Sequence, residues 1–246
     1  MKLALIQMLV EGGRPDRNLA RAEARIAGAA KDGAEVVLLP EVLDYGWTHP
    51  AGRNAVAGAS LERLCRAACR NQVIVCAGLA ERAGDRLFNA AYLIGRDGGL
   101  LARHRKINEL DIARDVYARG EPVEGVAETA FGRLGVHVCA DGFAAGQWIS
   151  RELASKGVVG ILSPCAWAVP VDFSGAYGQL WRDNYEPVAR ECGIWIAGCS
   201  NVGPIAAGPW SGRECIGNSI VFDARGREVV TGPFGGSAEA VLFVDL

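Results

Sequence analysis

The chain has 246 residues, of which half are hydrophobic and 22% are charged, and its formal net charge at pH 7 is −2. This balance is typical of a globular protein with a sizeable core. The weak net charge and the lack of a basic run argue against nucleic acid as the main partner, and no stretch is long and apolar enough to span a membrane.

The cysteines indicate a reducing compartment. Eight of them stand at positions 65, 69, 76, 139, 165, 192, 199 and 215, and no two form a C-x-x-C pair. A disulfide scaffold is not expected at this length without a secretory signal, and the spacings of zinc sites are missing. The start, MKLALIQMLVEGG, is typical of a first strand and not of a signal peptide. We therefore expect a cytoplasmic protein with reduced thiols and with neither a metal nor a cofactor.

The first part of the chain alternates strands with helices. Apolar runs bounded by turn residues predict strands, and apolar residues at helical spacing predict helices. The predicted elements are a strand at 2–10, a helix at 16–31 capped by Asp16, a strand at 35–39, a helix at 60–71 capped by Ser60 and a strand at 73–79.

Two hairpins interrupt this alternation. Strands at 87–95 and 100–105 flank the turn Arg96-Asp97-Gly98-Gly99, and strands at 216–223 and 227–230 flank Ala224-Arg225-Gly226. Short turns of this composition join antiparallel strands. The other predicted elements are an irregular charged stretch at 107–128, a buried strand from 134 to 139, a helix at 148–156, a strand at 158–162, a helix at 178–192, a strand at 194–199 and a last strand at 240–246.

This order of elements predicts an α/β protein with mixed sheets whose outer faces are covered by helices. The strands are too many for one simple doubly wound sheet, so we expect two sheets packed face to face. No linker or low-complexity block divides the chain, which predicts a single domain over residues 1–246. The glycine-rich loops at 203–212 and 232–236 are expected to wrap a site or an interface.

Three predicted strands end at ionisable residues. Glu41 follows VVLLP, Lys106 follows LLARHR and Cys139 follows LGVHV. Taken singly, each could be a surface charge or a core cysteine, but strand ends are also where α/β sheets carry ligand sites. A thiol of ordinary pKa needs a base or a cation beside it to react at neutral pH. Glu41 could accept its proton, and Lys106 could stabilise an oxyanion together with the backbone N–H of Ala140.

The segments around these residues resemble a known family. LLPEVLDYGW, RHRKINEL and VHVCADGF, in this order and with these gaps, are similar to the three catalytic signatures of the nitrilase superfamily, the carbon-nitrogen hydrolases. KLALIQM, ILSPCAW, IAGCSNVG and GNSIVFDARGREV also match, so the resemblance covers nearly the whole chain. It implies a four-layer α-β-β-α sandwich that commonly dimerises through its helices.

The resemblance also implies roles for the three residues. Cys139 would be the nucleophile, Glu41 the general base and Lys106 the cation that stabilises the oxyanion. Many members use a second glutamate after the lysine to position the substrate or the attacking water. Glu109 is the first candidate for that role here, and two more glutamates of the same loop rank behind it. They are Glu121 and Glu124.

The chain departs from the family pattern just after the cysteine. Ala140 replaces the usual aromatic residue, Asp141 is kept, and FAAGQ at 143–147 stands where Phe-Pro-Glu is expected. These changes leave the three central residues in place but alter the expected pocket. Ala140, Asp141 and Trp167 are predicted to bind substrate, and Trp148 is a further pocket-side candidate.

For the substrate, the resemblance favours a small amide or an N-carbamoyl compound over a nitrile. A charged partner for a substrate carboxylate could be any of three arginines, among which the sequence does not choose. They are Arg114, Arg182 and Arg213.

Three other interpretations remain. A Cys–His hydrolase would need His49, His104 or His137, and His137 lies about 6 to 7 Å along the strand from Cys139, too far for a direct hydrogen bond. A serine hydrolase would be expected to carry G-x-S-x-G, which is absent. The third is a binding or scaffold protein with the same fold and an inert cysteine.

Overall fold

The computed structural model describes all 246 residues as an α/β protein. The chain forms fifteen strands, four α-helices and four short 3₁₀ helices. The strands are β1 Lys2–Gln7, β2 Val36–Leu38, β3 Ile74–Ala83, β4 Arg86–Ile94, β5 Leu100–Arg105, β6 Val126–Thr129, β7 Gly132–Val136, β8 Gly160–Cys165, β9 Ala168–Pro170, β10 Trp195–Ser200, β11 Val202–Pro204, β12 Arg213–Ile216, β13 Ile220–Phe222, β14 Glu228–Thr231 and β15 Ala240–Asp245. The helices are α1 Pro15–Lys31, α2 Ala59–Asn71, α3 Trp148–Ser155 and α4 Gln179–Cys192.

Two six-stranded mixed sheets pack face to face. The first has the order β15-β1-β2-β3-β4-β5 and the second the order β14-β13-β10-β8-β7-β6. Helices α1 and α2 cover the outer face of the first sheet, and α3 and α4 cover that of the second. The predicted four-layer sandwich is therefore confirmed. None of the helices combines the length and the apolar character needed to cross a bilayer.

Successive side chains along a strand point alternately to the two faces of its sheet, so each side chain packs in one of two layers. In β1, Leu3 and Leu5 face the second sheet, whereas Ala4 and Ile6 face α1 and α2. All four are fully buried. A strand covered on both faces reads as an unbroken apolar run, which is why the sequence predicts this strand as buried.

Both predicted helix caps are wrong. Helix α1 begins at Pro15 after Arg14, so Asp16 lies inside the first turn, where proline is preorganised for a helix and an acid suits the dipole. Helix α2 begins at Ala59 after Gly58, which adopts a left-handed conformation, and Ser60 lies within the helix. Neither helix has a side-chain hydrogen bond at its cap.

The hairpin β4–β5 is confirmed, but the strand predicted at 216–223 is two strands. Gly217 and Asn218 have φ values of 63° and 59°, which break the extended chain between β12 and β13. As a result β12 leaves the large sheet and pairs with β9 and β11 in a small third sheet that the sequence did not predict. Strand β6 likewise lies in a stretch predicted to be irregular.

Gly160 gives a test of sheet packing. A Cβ at this position of β8 would lie 1.9 Å from the indole of Trp195 on the neighbouring strand β10. We expect Gly160→Ala to lower the free energy of unfolding by about 2 kcal/mol or more, because the core has no room for the methyl group. In contrast, Gly28→Ala in α1 meets nothing within 4 Å and should stabilise by ~0.5–1 kcal/mol. Urea unfolding of both variants measures the difference, and similar values would contradict this packing.

Candidate active site

The ends of β2, β5 and β7 meet between the two sheets. Strand β2 is parallel to β3, and β4 is antiparallel to both β3 and β5, so β2 and β5 run in the same direction. Glu41 and Lys106 therefore emerge at the same edge of the first sheet. Cys139 follows β7 of the facing sheet. The three residues predicted together are brought to one place.

Glu41 is held by a close approach of two backbones. The chain after Pro40 crosses Gly78 of β3, where a Cβ would lie 2.6 Å from the Cα of Glu41. Only glycine leaves room for this crossing. The backbone N–H of Glu41 donates to the carbonyl of Cys165 on β8 at 3.1 Å, which ties the loop to the second sheet.

Lys106 and Glu41 form a buried ion pair. The Nζ of Lys106 lies 2.7 Å from Oε1 of Glu41, and both side chains are 1% exposed. Asn89 of β4 also donates to that oxygen, at 2.6 Å, and its carbonyl accepts the backbone N–H of Lys106 at 2.8 Å. Sequence reasoning missed Asn89, although a single amide inside the apolar run of β4 was a signal that could have found it.

Glu109 is the second carboxyl group of the site. Its Oε2 lies 3.5 Å from Nζ of Lys106, yet neither of its buried oxygens has a hydrogen-bond partner. Burial raises the pKa of Glu109 to about 8, with Lys106 opposing and the Glu41 charge adding to the rise. Burial would lower the pKa of Lys106, but Glu109 and Glu41 together hold it well above its ordinary value. At neutral pH Lys106 is charged and Glu109 is mostly neutral.

The other two candidate glutamates lie elsewhere. The side chain of Glu121 is 76% exposed and faces Arg119, and Glu124 is also exposed. Of the three candidates, only Glu109 is brought to the ion pair.

Cys139 begins a short 3₁₀ turn, Cys139–Phe143, and has a φ of 45°. This left-handed conformation is uncommon for a residue with a side chain and is typical of functional sites. Its backbone N–H donates to Oγ of Ser163 at 3.2 Å. Burial raises the pKa of the thiol well above its ordinary value, Cys165 and Glu41 add to the rise, and Lys106 opposes it. The resting thiol is therefore protonated, with a carboxylate and an ammonium acting on it.

Asp141 is buried, and both of its carboxylate oxygens accept hydrogen bonds from the protein itself. Its Oδ1 accepts the backbone N–H groups of Ile107 at 3.0 Å and Asn108 at 2.8 Å. Its Oδ2 accepts from Val138 N at 3.0 Å and lies 2.8 Å from Nε2 of His104. The carboxylate is fully buried, and it clamps the loop after Lys106 onto the turn that carries Cys139.

Replacing Asp141 by asparagine should loosen this clamp. Burial would raise its pKa, but the bonds from His104 and the backbone lower it to about 2, below the ordinary value of 3.8. The stability it contributes is therefore present above pH 3.8 and is lost as pH falls towards 2. We expect Asp141→Asn to cost about 3 kcal/mol at pH 7 and to remove this part of the acid dependence, as measured by urea unfolding against pH.

The matched control is Asp223→Asn in the second hairpin. Asp223 also accepts two backbone N–H groups, from Arg225 and Arg227, and pairs with the Arg227 side chain, but in a turn at the surface. This change should cost less than about 1 kcal/mol, because water can replace the lost acceptor. Equal costs in the two variants would contradict the clamp.

The other two residues predicted to bind substrate are also buried. The carbonyl of Ala140 accepts Nδ2 of Asn108 at 2.6 Å, which reinforces the clamp. Trp167 is 2% exposed, and its indole stacks on that of Trp181 with ring centroids 3.7 Å apart. Trp167 thus supports the site from the core, whereas Trp148, the further candidate, is 45% exposed.

No histidine hydrogen bonds to Cys139. His104 is bound to Asp141, and His49 accepts a backbone N–H from Ala51. His137 has no hydrogen-bond partner for either ring nitrogen, and burial lowers its pKa to about 4. A neutral histidine without a polar contact does not supply the base of a Cys–His hydrolase.

A cavity of about 560 Å³ opens beside Glu109. This is a usual size for a small-molecule pocket. Its wall includes Ile107, Asn108, Glu109, Arg114, Arg119 and Trp148.

Of the three candidate arginines, only Arg114 borders this cavity. Arg182 pairs with Glu228, and Arg213 lies over the ring of Trp210. The structure contains no group of three or more His, Cys, Asp or Glu side chains that could hold a metal ion.

The fold and the site together define a class of enzymes. A four-layer sandwich whose facing sheets bring a cysteine, a glutamate and a lysine together is the arrangement of the nitrilase superfamily. The sequence model of carbon-nitrogen hydrolases matches residues 2–246, so the chain belongs to the carbon-nitrogen hydrolase family.

Individual relatives agree with this assignment. The chain is 30% identical over 177 residues to a nitrilase of Pyrococcus abyssi, which covers 69% of this chain and 66% of that protein. It is 27% identical over 257 residues to a chloroplastic omega-amidase of Arabidopsis thaliana, covering 95% and 62%. The aligned region thus spans about two thirds or less of the length of these relatives.

Solved structures share the fold. An amidase from Nesterenkonia sp. AN1 superposes with a TM-score of 0.86 at 23% identity, covering all of this chain and 93% of the other. A carbon-nitrogen hydrolase from Helicobacter pylori G27 gives 0.85 at 21% identity, covering 99% and 88%.

Proposed function

We propose that residues 1–246 are a single domain that hydrolyses the C–N bond of a small amide through a thioester on Cys139. The observation that carries this proposal is the buried pair of Lys106 and Glu41, 2.7 Å apart, whose charges act on the thiol. Burying two charged groups costs free energy, and such buried charges are common at active sites. The relatives called omega-amidases and nitrilase are consistent with this class of reaction.

The roles follow from the arrangement of the three groups. Glu41 takes the proton of Cys139 as sulfur attacks the amide carbon, and Lys106 stabilises the oxyanion that forms. Glu41 then gives this proton to the leaving nitrogen, and ammonia or an amine departs. Glu41 next accepts a proton from water as the water attacks the thioester, which releases the acid and restores the thiol. The sum is amide plus water giving acid plus ammonia or amine.

Three alternatives use the same fold and site. An N-carbamoyl compound would react by the same course, and a nitrile would pass through a thioimidate. A nitrile substrate is supported by the similarity to the Pyrococcus abyssi nitrilase. A catalytically silent scaffold would keep the fold without turnover.

A substrate panel tests the proposal. Short amides, N-carbamoyl compounds and nitriles are assayed for ammonia release, with the Cys139→Ala protein as the blank. We expect release from an amide and no release above the blank from a nitrile. Release from nitriles alone would replace the amidase by the nitrilase, and no release from any compound would favour the scaffold.

Glu109 should give the reaction a pH dependence. Because its pKa is raised to about 8, it is a neutral donor at pH 7 and can hold a substrate or water oxygen. We expect kcat/KM to fall as pH rises through about 8, as Glu109 ionises. Glu109→Gln keeps a hydrogen-bond donor at every pH, so its kcat/KM should not fall above pH 8, while part of the activity remains. A fall that persists in this variant would mean that another group titrates.

We further propose a cytoplasmic homodimer. Eight free cysteines support a reducing compartment. Three large apolar side chains around the start of α4 support an interface, since Val171, Leu180 and Phe234 are 65%, 55% and 45% exposed. Sedimentation of the purified protein distinguishes a dimer from a monomer.

A further inference from the structure

The backbone N–H of Cys139 donates to a side chain and not to the backbone of the neighbouring strand. The last bond from β7 to β8 runs from the N–H of His137 to the carbonyl of Leu162 at 3.3 Å. In a parallel pair of strands, the next N–H that faces the neighbour lies two residues further on, at Cys139. Its acceptor is instead Oγ of Ser163, at 3.2 Å. The chain therefore leaves the sheet at Cys139, where φ changes to 45°.

The hydroxyl of Ser163 makes all the hydrogen bonds that it can. A hydroxyl oxygen accepts two hydrogen bonds and its proton donates one. The oxygen accepts the N–H of Cys139 and the O–H of Tyr185, the latter at 3.0 Å. The Ser163 proton is then left for Sγ of Cys165 at 3.4 Å, and the Cys165 thiol donates to the carbonyl of Ser163 at 3.2 Å. Each hydrogen atom of this network has an acceptor, so the hydroxyl cannot rotate without breaking bonds.

Tyr185 is a fixed donor in this network. It lies on α4, and its side chain is fully buried. Its ring contacts the turn that Cys139 begins, since a Cβ at Gly142 would lie 2.6 Å from Cε1 of the tyrosine. The ring also packs edge-on against Trp181, with centroids 5.5 Å apart. Burial raises the pKa of Tyr185 well above its ordinary value, so the hydroxyl keeps its proton throughout the pH range of an assay.

The left-handed conformation of Cys139 needs support of this kind. A residue with a side chain adopts this conformation at a cost in free energy, so the surrounding structure must hold it there. The angle φ is a rotation about the N–Cα bond, and it is fixed when the groups on both sides of that bond are fixed. Asp141 anchors the turn after Cys139 to the loop after Lys106. Ser163 anchors the N–H on the other side.

We propose that Ser163 and Tyr185 are positioning residues for Cys139. Tyr185 fixes the hydroxyl of Ser163, and that oxygen holds the backbone N–H of Cys139. The sulfur is thereby kept where the charges of Lys106 and Glu41 act on it. The inference rests on the proposed amide hydrolysis and adds to it two fully buried residues that act only through the nucleophile. Because a misplacement of about 1 Å can cost roughly 100-fold in rate, losing this support should lower kcat and leave substrate binding nearly unchanged.

Three variants test this support. Ser163→Ala should lower kcat for a short amide by roughly 10- to 100-fold, with KM within about 3-fold of wild type. Tyr185→Phe keeps the ring and removes one hydrogen bond to the serine, so kcat should fall by a smaller factor of roughly 3- to 10-fold. Because Tyr185 acts through Ser163, the double variant should be no slower than Ser163→Ala alone, whereas independent packing effects would multiply. The losses should be the same below and above the pH at which Glu109 ionises, since neither hydroxyl titrates there.

Ser219→Ala is the matched control. Ser219 is also a fully buried serine whose Oγ accepts a backbone N–H, but that N–H belongs to Ser200 of β10, at 3.0 Å. This variant should keep kcat within about 2-fold of wild type. An unchanged kcat in Ser163→Ala, a loss carried by KM alone, or a double variant slower by the full product of the single losses would overturn the inference. If urea unfolding shows that Ser163→Ala does not fold, Tyr185→Phe decides alone. A fall in its kcat at constant KM supports the inference, and a wild-type kcat overturns it.

Iodoacetamide labelling separates this inference from the proposed reaction. If the wild-type protein hydrolyses no amide, the rate at which Cys139 is alkylated still reports the position of its sulfur. We expect this rate, measured by peptide mass spectrometry, to fall by roughly 5-fold or more in Ser163→Ala and to stay unchanged in Ser219→Ala. That result would support the positioning role although the proposed reaction fails. An equal or faster rate in Ser163→Ala would overturn it.

Discussion

Replacing Cys139 by alanine is expected to lower amide turnover by about 10⁴-fold or more while the protein stays folded. Sulfur is the atom that forms the thioester, and alanine carries no nucleophile at the position on which the Lys106 and Glu41 charges act. Stability should fall by no more than about 1 kcal/mol, because a single buried sulfur is removed and alanine has no larger side chain to accommodate. Ammonia release and urea unfolding measure the two effects.

Cys76→Ala is the matched control, because Cys76 is also buried but lies within β3. It should cost similar stability and keep the activity. Loss of turnover in both variants would mean that packing, and not the nucleophile, was removed. Retention of turnover without Cys139 would end the thioester mechanism.

Alkylation separates a functional thiol from an inert one. Cys139 is protonated at rest, so we expect fast labelling only by a reagent that binds as a substrate does, such as iodoacetamide, which is itself a small amide. Cys139 should react faster than the buried Cys165 and Cys199, whereas the exposed Cys69 reacts at the ordinary rate of a surface thiol. Equal sluggishness of all buried cysteines would favour the silent scaffold.

The layers of the fold could be predicted because burial leaves a local pattern. The run VVLL at 36–39 has no polar position, which indicates a strand covered on both sides, and this is where β2 lies. In contrast, the local sequence does not show which sheet a strand joins. Strands β8 and β10 pair across 35 residues, and β12 leaves the large sheet because of two left-handed residues that no periodicity reveals.

The central residues of the site could be predicted for a similar reason. Strands that run in one direction end at one edge, so Glu41 and Lys106 are neighbours once their strands share a sheet. The contacts that support these residues depend on where side chains point and on how strands are aligned, which the sequence does not show. The side chain of Asn89 meets Glu41 across 48 positions, and the carboxylate of Asp141 meets the backbone of Ile107 and Asn108 across 34 and 33. A family motif that keeps this aspartate does not say which way it faces.

Lys106→Met is the second change with a large expected effect, because it acts on stability and activity together. Methionine fills a similar unbranched volume, but Glu41 is then left 1% exposed with Asn89 as its remaining side-chain donor. Leaving such a carboxylate without its cation should cost about 3 kcal/mol or more. Turnover should fall by roughly 10³-fold or more, since the oxyanion loses its charged partner. Urea unfolding and ammonia release report the two losses.

The double variant Glu41→Gln/Lys106→Met separates these effects. Glutamine removes the uncompensated charge, so stability should return to within about 1 kcal/mol of wild type, while turnover stays lost because both the base and the cation are gone. Lys156→Met, which removes an ammonium that pairs with Glu152 and donates to the carbonyl of Val123 far from the Lys106–Glu41 pair, should leave turnover unchanged. Stability that does not recover in the double variant would mean that Lys106 acts mainly by packing. Turnover that survives either variant would mean that this ion pair, although buried at the ends of two strands, is structural and the base must be sought elsewhere.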